Sequence, residues 1–413
     1  MSVFRSMFVA SSMLCAVPVS AWAEPKAEVI HWYTSASESR AVKAFADAFA
    51  AAGGAWKDTA VAGGSNARSV AYNRILGRNP PTAAQFSAGK QADAMIDQDL
   101  LRDIGPLVSA NGYEKVLPEI FIKAGSRDGK LYTLPTAMQV LNNFFYSPEV
   151  LKKSGVDIAT LDSWPKFIEA MEKIKSAGFI GLAHGNTPPY LGVLFAQTLL
   201  SYGGPELYMR VLGDDYEAAL ASPEFKEFAN TFLSLRKYTD SGAENRSWSL
   251  STQLLIKQEA GFQIMGDYAK GEIKAAGLEP GSDIGCFMGP GSQSYIIIGD
   301  IFVFPKVTDQ DQIDGQTLLV KALLAPETQV KFAEAKGSLP LVANPDPSKL
   351  DKCAQKNFSH LIKPENQVPY ADILLGPDRM GAFLDALVET WADKDADGEM
   401  LAERLNEAFV LAQ

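Results

Sequence analysis

Residues 29–38 read VIHWYTSASE, a short apolar run that ends in two adjacent aromatic residues and leads through small residues into a helix start. The apolar run predicts the first strand of the mature domain. Ligands of open α/β folds bind at the carboxyl ends of strands, so we expect Trp32, Tyr33 and Glu38 at such an edge. Aromatic rings beside a carboxylate suit a sugar, which has an apolar C–H face and a rim of hydroxyl groups.

The segment before this strand indicates export. Residues 1–23 contain one basic residue, Arg5, an apolar stretch from Phe8 to Val19, and Ala21-Trp22-Ala23, which fits an A-x-A cleavage pattern. The stretch is too short, and too broken by serine and proline, to cross a bilayer. We therefore predict a signal peptide cleaved after Ala23 and a periplasmic mature protein. A buried N-terminal helix is the alternative.

Charge and composition exclude some classes of partner. The 413 residues include 38 Lys and Arg against 49 Asp and Glu, a net charge of −11. This acidity argues against nucleic acid or an anionic membrane surface as a partner. With 47% hydrophobic residues the chain reads as an ordinary globular protein, long enough for two domains.

The cysteines suggest one disulfide and no metal site. Cys15 leaves with the signal peptide, so Cys286 and Cys353 remain in the mature chain. In an oxidising compartment the two are candidates for a disulfide, and two free buried thiols are the alternative. No cysteine–histidine cluster has metal-ligand spacing, and we expect no metal or other cofactor.

Strand and helix signals alternate along the mature chain, which predicts an α/β fold of mostly parallel sheets flanked by helices. Two extended stretches, 131–146 and 295–305, flank a long helix-rich region. This arrangement suggests that the chain leaves one domain and later returns. We expect a first lobe of residues 24–138 and 300–345. The second lobe would hold residues 139–299 and 346–413, with hinge crossings and a cleft between the lobes.

Several stretches together resemble one known family. Besides the export signal and residues 29–38, they are NPPTAAQ (79–85), FYSPEVLKKSG (145–155), SWPKF (163–167), AHG (183–185), IMGDY (264–268) and KGSLP (336–340). Each motif is short and of low specificity on its own, but the order of the motifs is specific. Together they cover nearly the whole mature chain. The chain resembles the periplasmic sugar-binding proteins of ABC importers, solute-binding protein family 1, and most closely the glucose/mannose-type branch.

The resemblance implies a fold and a mode of action. Two α/β lobes joined by hinges would close around a solute, and the ligand would stabilise the closed form through contacts with both lobes. The ABC permease in the membrane would recognise that loaded form. The resemblance therefore implies a monomer that binds a sugar or sugar derivative and makes or breaks no bond.

The resemblance also implies a ligand-binding set, carried over position by position. The residues are Trp32, Tyr33, Glu38, Gln85, Asn142, Asp267, Asp300 and Lys336. Trp248 is a further candidate, because it could supply a ring from the second lobe. Adjacent strand residues face opposite ways, so at most one of Trp32 and Tyr33 should stack fully on a sugar. Glu38 has a structural alternative, because Ser35 to Glu38 also fits a helix capping box.

The other members of this set have structural alternatives too. Asn142 could be an exposed hinge residue, and Asp267 and Asp300 could form turns beside glycine. Trp248 lies in a loop-like stretch and could pack under that loop instead of reaching a ligand. Lys336 could be a solvated lysine at a helix end.

Three departures from the family pattern bear on the ligand. Lys90 stands where the glucose-type branch commonly has an acid, Pro189-Tyr190 replaces a tryptophan, and residues 376–379 occupy the neighbourhood of an expected histidine. Exchanging an acid for a lysine favours an anionic or acceptor-rich ligand. Lys90, Lys336 and Arg379 therefore suggest a sugar acid or another substituted monosaccharide rather than glucose.

Two other functions compete with this interpretation. An exported carbohydrate-active hydrolase would need a nucleophile elbow, a metal site or a carboxylate pair, and residues 281–285 carry serine in the wrong place for a G-x-S-x-G motif. Glu38 and Asp267 could form an acid/base pair, but the sequence does not fix their separation. A sugar-binding protein that serves a chemoreceptor or sensor kinase would have the same pocket.

Overall fold

The computed structural model describes residues 24–342 and 345–412. The predicted signal peptide, residues 1–23, lies outside the described residues. The strands are β1 (Lys26–His31), β2 (Ala55–Ala60), β3 (Ala83–Ser87), β4 (Ser126–Arg127), β5 (Lys130–Leu131), β6 (Thr133–Val140), β7 (Asn143–Tyr146), β8 (Ile180–Leu182), β9 (Ala260–Met265), β10 (Gly285–Phe287), β11 (Tyr295–Val303) and β12 (Gln367–Pro369).

The α-helices surround these strands. They are α1 (Ala36–Ala51), α2 (Gly64–Leu76), α3 (Asp93–Asp97), α4 (Gly105–Ala110), α5 (Glu119–Gly125), α6 (Pro148–Lys153), α7 (Trp164–Ser176), α8 (Pro188–Val211), α9 (Tyr216–Ala221), α10 (Pro223–Ser234), α11 (Trp248–Ile256), α12 (Ala269–Ala275), α13 (Gln310–Leu324), α14 (Pro326–Lys336), α15 (Lys352–Leu361), α16 (Ala371–Leu374), α17 (Pro377–Ala392) and α18 (Gly398–Leu411).

The first sheet has the strand order β12-β11-β3-β1-β2, and β6 also pairs with β11. Strand β1 runs parallel to β2 and β3, whereas β11 runs antiparallel to β3 and β6. Helix α1 covers one face of this sheet because Val42, Phe45 and Phe49 recur at helical spacing and are buried. The Phe45 ring stacks on Phe332 of α14 at 4.1 Å, which fixes α14 beside α1.

The second sheet has the order β10-β7-β9-β8. The two-lobed α/β fold is confirmed, but the expectation of a mostly parallel sheet in each lobe was wrong for this one. Only β8 and β9 run parallel, while β7 runs antiparallel to both β9 and β10. The reason is that β7 and β10 carry the chain into and out of the lobe, so neither belongs to a strand–helix–strand repeat.

Sheet membership marks where the chain passes between lobes. The chain changes sheets at Leu141–Asn142 and again between β10 and β11. A third passage follows β12, because the later helices α17 and α18 pack in the core of the second lobe. Asn142 adopts a left-handed φ of 69°, which asparagine tolerates better than most residues. We therefore propose lobe boundaries at these three points. Compared with the boundaries predicted from the sequence, the first lies close to 138/139, the second lies a few residues before 299/300, and the third lies later than 345/346.

A disulfide joins Cys286 of β10 to Cys353 of α15, with 6.0 Å between the Cα atoms. Helix α15 also contributes Ala354 and Leu361 to the apolar cluster on one face of the first sheet. The bond therefore links a strand of the second sheet to a helix that packs on the first lobe.

Candidate functional site

The aromatic pair at the end of β1 divides between solvent and core. Trp32 is half-buried, and its backbone N–H donates to Oε1 of Gln85 on β3 at 2.9 Å. The amide nitrogen of Gln85 is buried and has no partner. Tyr33 is 1% exposed and packs edge-on against Phe332. As expected from strand geometry, only the first of the two rings remains accessible to a ligand.

Glu38 caps helix α1 and pairs with Lys336. Its Oε2 accepts the backbone N–H groups of Thr34 and Ser35, and the Ser35 hydroxyl accepts the N–H of Glu38, which completes the capping box. Its Oε1 accepts from Lys336 Nζ at 2.6 Å, and the two side chains are only 7% and 3% exposed. The glutamate is therefore committed to the cap and to a buried ion pair.

Lys336 lies between aromatic rings of the two lobes. Its Nζ is 4.9 Å from the ring centroid of Tyr33 and 5.3 Å from that of Tyr268, which follows β9 of the second lobe. Gly337, with φ of 84°, ends α14 directly after this lysine in the left-handed conformation. Lys336 is thus a buried bridging cation, not a solvated lysine at a helix end.

Asp300 lies in the middle of β11 and is held by the first lobe. Its Oδ2 accepts from the Tyr33 hydroxyl at 3.0 Å and from Gln139 Nε2 at 2.7 Å. Burial raises the pKa of Asp300, and the nearby Lys336 cation partly offsets that rise. Strand β11 therefore presents a carboxylate oriented by a phenol and an amide, an arrangement that suits a hydroxylated ligand.

Asp267 lies where the chain first passes between lobes. Its backbone N–H donates to the carbonyl of Val140, and both carboxyl oxygens are buried without a hydrogen-bond partner. Burial raises the pKa of Asp267 to about 7, although Lys270 opposes the rise. Lys270 itself pairs with Asp351 at 2.9 Å. The carboxyl of Asp267 is therefore in an environment that disfavours its charge.

This burial makes a prediction about stability and pH. The unfolded chain ionises Asp267 near the ordinary value of 3.8, whereas the folded protein keeps the proton up to about pH 7. The folded state binds more protons than the unfolded chain in this interval. The contribution of Asp267 to the free energy of unfolding is therefore lost as pH rises. In Asp267→Asn we expect the loss of unfolding free energy between about pH 5 and about pH 8 to shrink by ~2–3 kcal/mol.

Urea denaturation at the two pH values measures this difference. Asp47→Asn is the matched control, because Asp47 is an exposed residue that pairs with Lys43 on the surface of α1. An equal pH dependence in wild type and Asp267→Asn would contradict the prediction.

The remaining predicted residues have different environments. Asn142 is 1% exposed rather than solvated, and its backbone N–H donates to Gln197 Oε1 of α8 at 2.6 Å. Trp248 was expected in a loop, which was wrong: it is the first residue of α11, where Ser247 provides the N-cap. Its ring packs edge-on against Tyr268 with centroids 5.0 Å apart.

Of the three cations behind the sugar-acid hypothesis, only Lys336 lies against the aromatic pair, and it is paired with Glu38. Lys90 is exposed, and its Nζ donates to the carbonyl of Leu374 at 2.8 Å. The guanidinium of Arg379 lies over the rings of Tyr216 and Phe409, in the second lobe. Contacts instead connect Trp32, Tyr33, Glu38, Gln85, Trp248, Asp300 and Lys336.

Helix α12 of the second lobe packs directly against α1 and α14 of the first. Glu272 is buried, and its Oε1 accepts the backbone N–H of Ser37 at 2.9 Å, in the first turn of α1. A Cβ on Gly271 would lie only 2.7 Å from the carbonyl oxygen of Ala335, so this close approach requires glycine. The lobes therefore meet through backbone and carboxylate contacts beside the predicted cleft.

Sequence reasoning missed two charged residues of this region. Arg68 on α2 lies with its guanidinium carbon 5.7 Å from the Trp32 ring centroid. Asp372 on α16 is buried, and its Oδ1 accepts from Gln91 Nε2 at 3.2 Å. No motif singles out either residue. Asp372 lies shortly after β12, and the pairing of β12 with β11 brings it into the first sheet's neighbourhood.

The comparisons with known proteins identify the family. A model of the bacterial extracellular solute-binding protein family matches residues 34–330. The chain belongs to this family. A "Probable sugar-binding periplasmic protein" of Brucella melitensis is 31% identical over 332 residues, 80% of this chain and 78% of the relative. Its counterpart of the same name in Rhizobium meliloti is 29% identical over 408 residues, 98% and 97% of the two chains.

Comparison with solved structures shows the same fold. A "Chitin oligosaccharide binding protein" superposes with a TM-score of 0.81 at 15% identity, covering 94% of this chain and 99% of that one. In the part of the chain that the structure describes, no helix is both long and apolar enough to cross a membrane.

Proposed function

We propose that this member of the solute-binding family is the periplasmic receptor of an ABC transporter. It captures a monosaccharide or sugar derivative between its lobes and delivers it, as a monomer, to the membrane permease. The observation that carries the proposal is the wall at the ends of β1 and β3, where the half-buried Trp32 is hydrogen-bonded through its backbone to Gln85, whose amide nitrogen has no partner. The relatives' names, sugar-binding and periplasmic, support the same conclusion.

The chemistry of this wall suits a pyranose. The ring of Trp32 can cover the apolar C–H face, while the Gln85 amide and the Asp300 carboxylate can bond to hydroxyl groups. Lys336 contacts both Tyr33 of the first lobe and Tyr268 of the second, and Trp248 packs against Tyr268. A ligand in contact with both lobes would therefore favour the closed form. Asn142 at the first crossing would act as a hinge residue.

A thermal-shift screen of the mature protein against neutral sugars, sugar acids and polyols tests the proposal. A ligand that binds only the folded protein raises the melting temperature with its concentration. Recovery of the bound sugar intact supports a receptor, whereas its turnover would support the exported hydrolase. Loss of uptake of the labelled sugar in a strain without this protein would support the permease over a chemoreceptor as the partner.

Trp32→Ala should weaken binding of whichever sugar the screen identifies by about 10- to 30-fold, because it removes the accessible ring. Isothermal titration calorimetry measures the change. Trp56→Ala is the matched control, since Trp56 lies at the opposite end of the sheet on β2 and packs against Phe49. Equal affinity of the two variants would contradict the role assigned to Trp32.

A further inference from the structure

The two charged residues that sequence reasoning missed lie on the same wall as Trp32. Arg68 projects from α2 towards the Trp32 ring, and a Cβ on Gly64 would contact both side chains. Asp372 comes from the segment that follows β12, and the side chains of Ser87 and Gln91 hydrogen-bond its carboxylate. A guanidinium from α2 and a carboxylate from α16 thus lie beside the ring expected to hold the sugar.

Arg68 and Asp372 attract each other without forming a contact. Their charges interact favourably, and Asp300 adds a second attraction for the guanidinium. Yet among the described residues no carboxylate oxygen lies within 4.0 Å of the Arg68 nitrogens. A donor and an acceptor are therefore separated by a gap, and a hydroxyl group can fill it because it donates to a carboxylate and accepts from a guanidinium at once.

The charge balance of the wall favours an uncharged group in that gap. Lys336 is paired with Glu38, so among the described residues Arg68 is the cation without a salt-bridge partner that attracts both Asp300 and Asp372. These two carboxylates already repel each other. A carboxylate on the ligand would add a third negative charge to a partly desolvated site, which is unfavourable.

We propose that Arg68 and Asp372 contact the ligand and make the cleft select a neutral sugar over the corresponding uronic acid. This inference rests on the proposed function. It also replaces the sugar-acid hypothesis, since Lys336 is paired with Glu38 and the Lys90 ammonium already donates to the backbone carbonyl of Leu374. The buried amide nitrogen of Gln85, which has no hydrogen-bond partner, independently supports binding of a hydroxylated ligand at this wall.

Calorimetry with matched pairs tests the selectivity: D-glucose with D-glucuronate, and D-galactose with D-galacturonate. The wild-type protein should bind at least one neutral sugar more than about 10-fold tighter than its acid. Asp372→Asn removes one repelling charge and should narrow this ratio by about 10-fold. Arg68→Gln should weaken binding of the neutral sugar by about 10-fold or more.

Asp47→Asn on the outer surface of α1 is the control for a general effect of charge, and it should leave the ratio unchanged. A uronic acid that binds as tightly as its neutral partner would overturn the inference and leave the proposed function standing. An unchanged ratio in a folded Asp372→Asn protein would also overturn it. If no sugar of a broad screen binds, the proposed function fails and the inference fails with it. Should a variant not fold, the wild-type ratio alone decides.

Discussion

Replacing Lys336 with methionine is expected to lower the free energy of unfolding by about 3 kcal/mol. Methionine preserves most of the side-chain volume and removes the charge. It leaves the carboxylate of Glu38 buried with only the cap N–H groups of Thr34 and Ser35 as partners. Breaking a buried pair by removing one partner costs far more than the pair contributes, because the other charge stays desolvated.

The effect reaches beyond Glu38. Lys336 also stabilises the ionised forms of Asp267 and Asp300, so its loss leaves three carboxyl groups without their shared cation. The contacts of its ammonium with Tyr33 and Tyr268 are lost as well. Since these rings belong to different lobes, we expect Lys336→Met to weaken sugar binding in addition to stability.

Lys331→Met is a control on the same helix. Lys331 forms an exposed pair with Glu327 one turn away, and such pairs contribute little. We expect this variant to lose less than about 0.5 kcal/mol in urea denaturation. The double variant Glu38→Gln/Lys336→Met should recover part of the loss of Lys336→Met, because no buried charge then remains unpaired. Equal stability of Lys336→Met and Lys331→Met would contradict the argument.

The local part of this site could be predicted from the sequence. The apolar run that ends at Trp32 and the Ser35–Glu38 capping box depend on residues within ten positions of one another, and both are present. Resemblance to the family supplied the two-lobed fold. It also directed attention to Lys336 and Asp300, which lie far from Trp32 in sequence but contact its neighbours in space.

Partners of charged groups could not be predicted. Nothing in the sequence indicates that Glu38 pairs with a lysine 298 positions away, and this pairing decides whether Lys336 is free for an anionic ligand. Arg68 reads as an ordinary cation on a polar helix until α2 is placed over Trp32. The sugar-acid hypothesis counted cations by type, whereas the charge available to a ligand depends on which cations already have partners.

Trp248 shows the same limitation in local structure. Its surroundings were predicted to be loop-like, yet Ser247 serves as the N-cap of a short helix that begins at Trp248. Serine favours both turns and helix N-caps, so the sequence alone left the choice open. Packing of the Trp248 ring against Tyr268 is the long-range contact that accompanies the helix.

Loss of the disulfide is the other change with a large expected effect. Cys286 and Cys353 are 67 positions apart, and cross-linking a loop of that length removes unfolded-state entropy worth about 4 kcal/mol in the chain-entropy model. We expect Cys286→Ser/Cys353→Ser to lose ~2–4 kcal/mol of unfolding free energy. Wild-type protein treated with dithiothreitol should match the double variant in urea denaturation.

Other contacts hold the start of α15 in place beside the disulfide. Near Cys353, Lys270 of α12 pairs with Asp351, whose carboxylate caps α15, and Lys352 donates to Ser282. These contacts keep the start of α15 on the second lobe after reduction. The double variant should therefore stay folded and bind sugar. A thiol assay that finds two free thiols in the denatured, unreduced mature protein would contradict the prediction, as would equal stability of the double variant and the wild type.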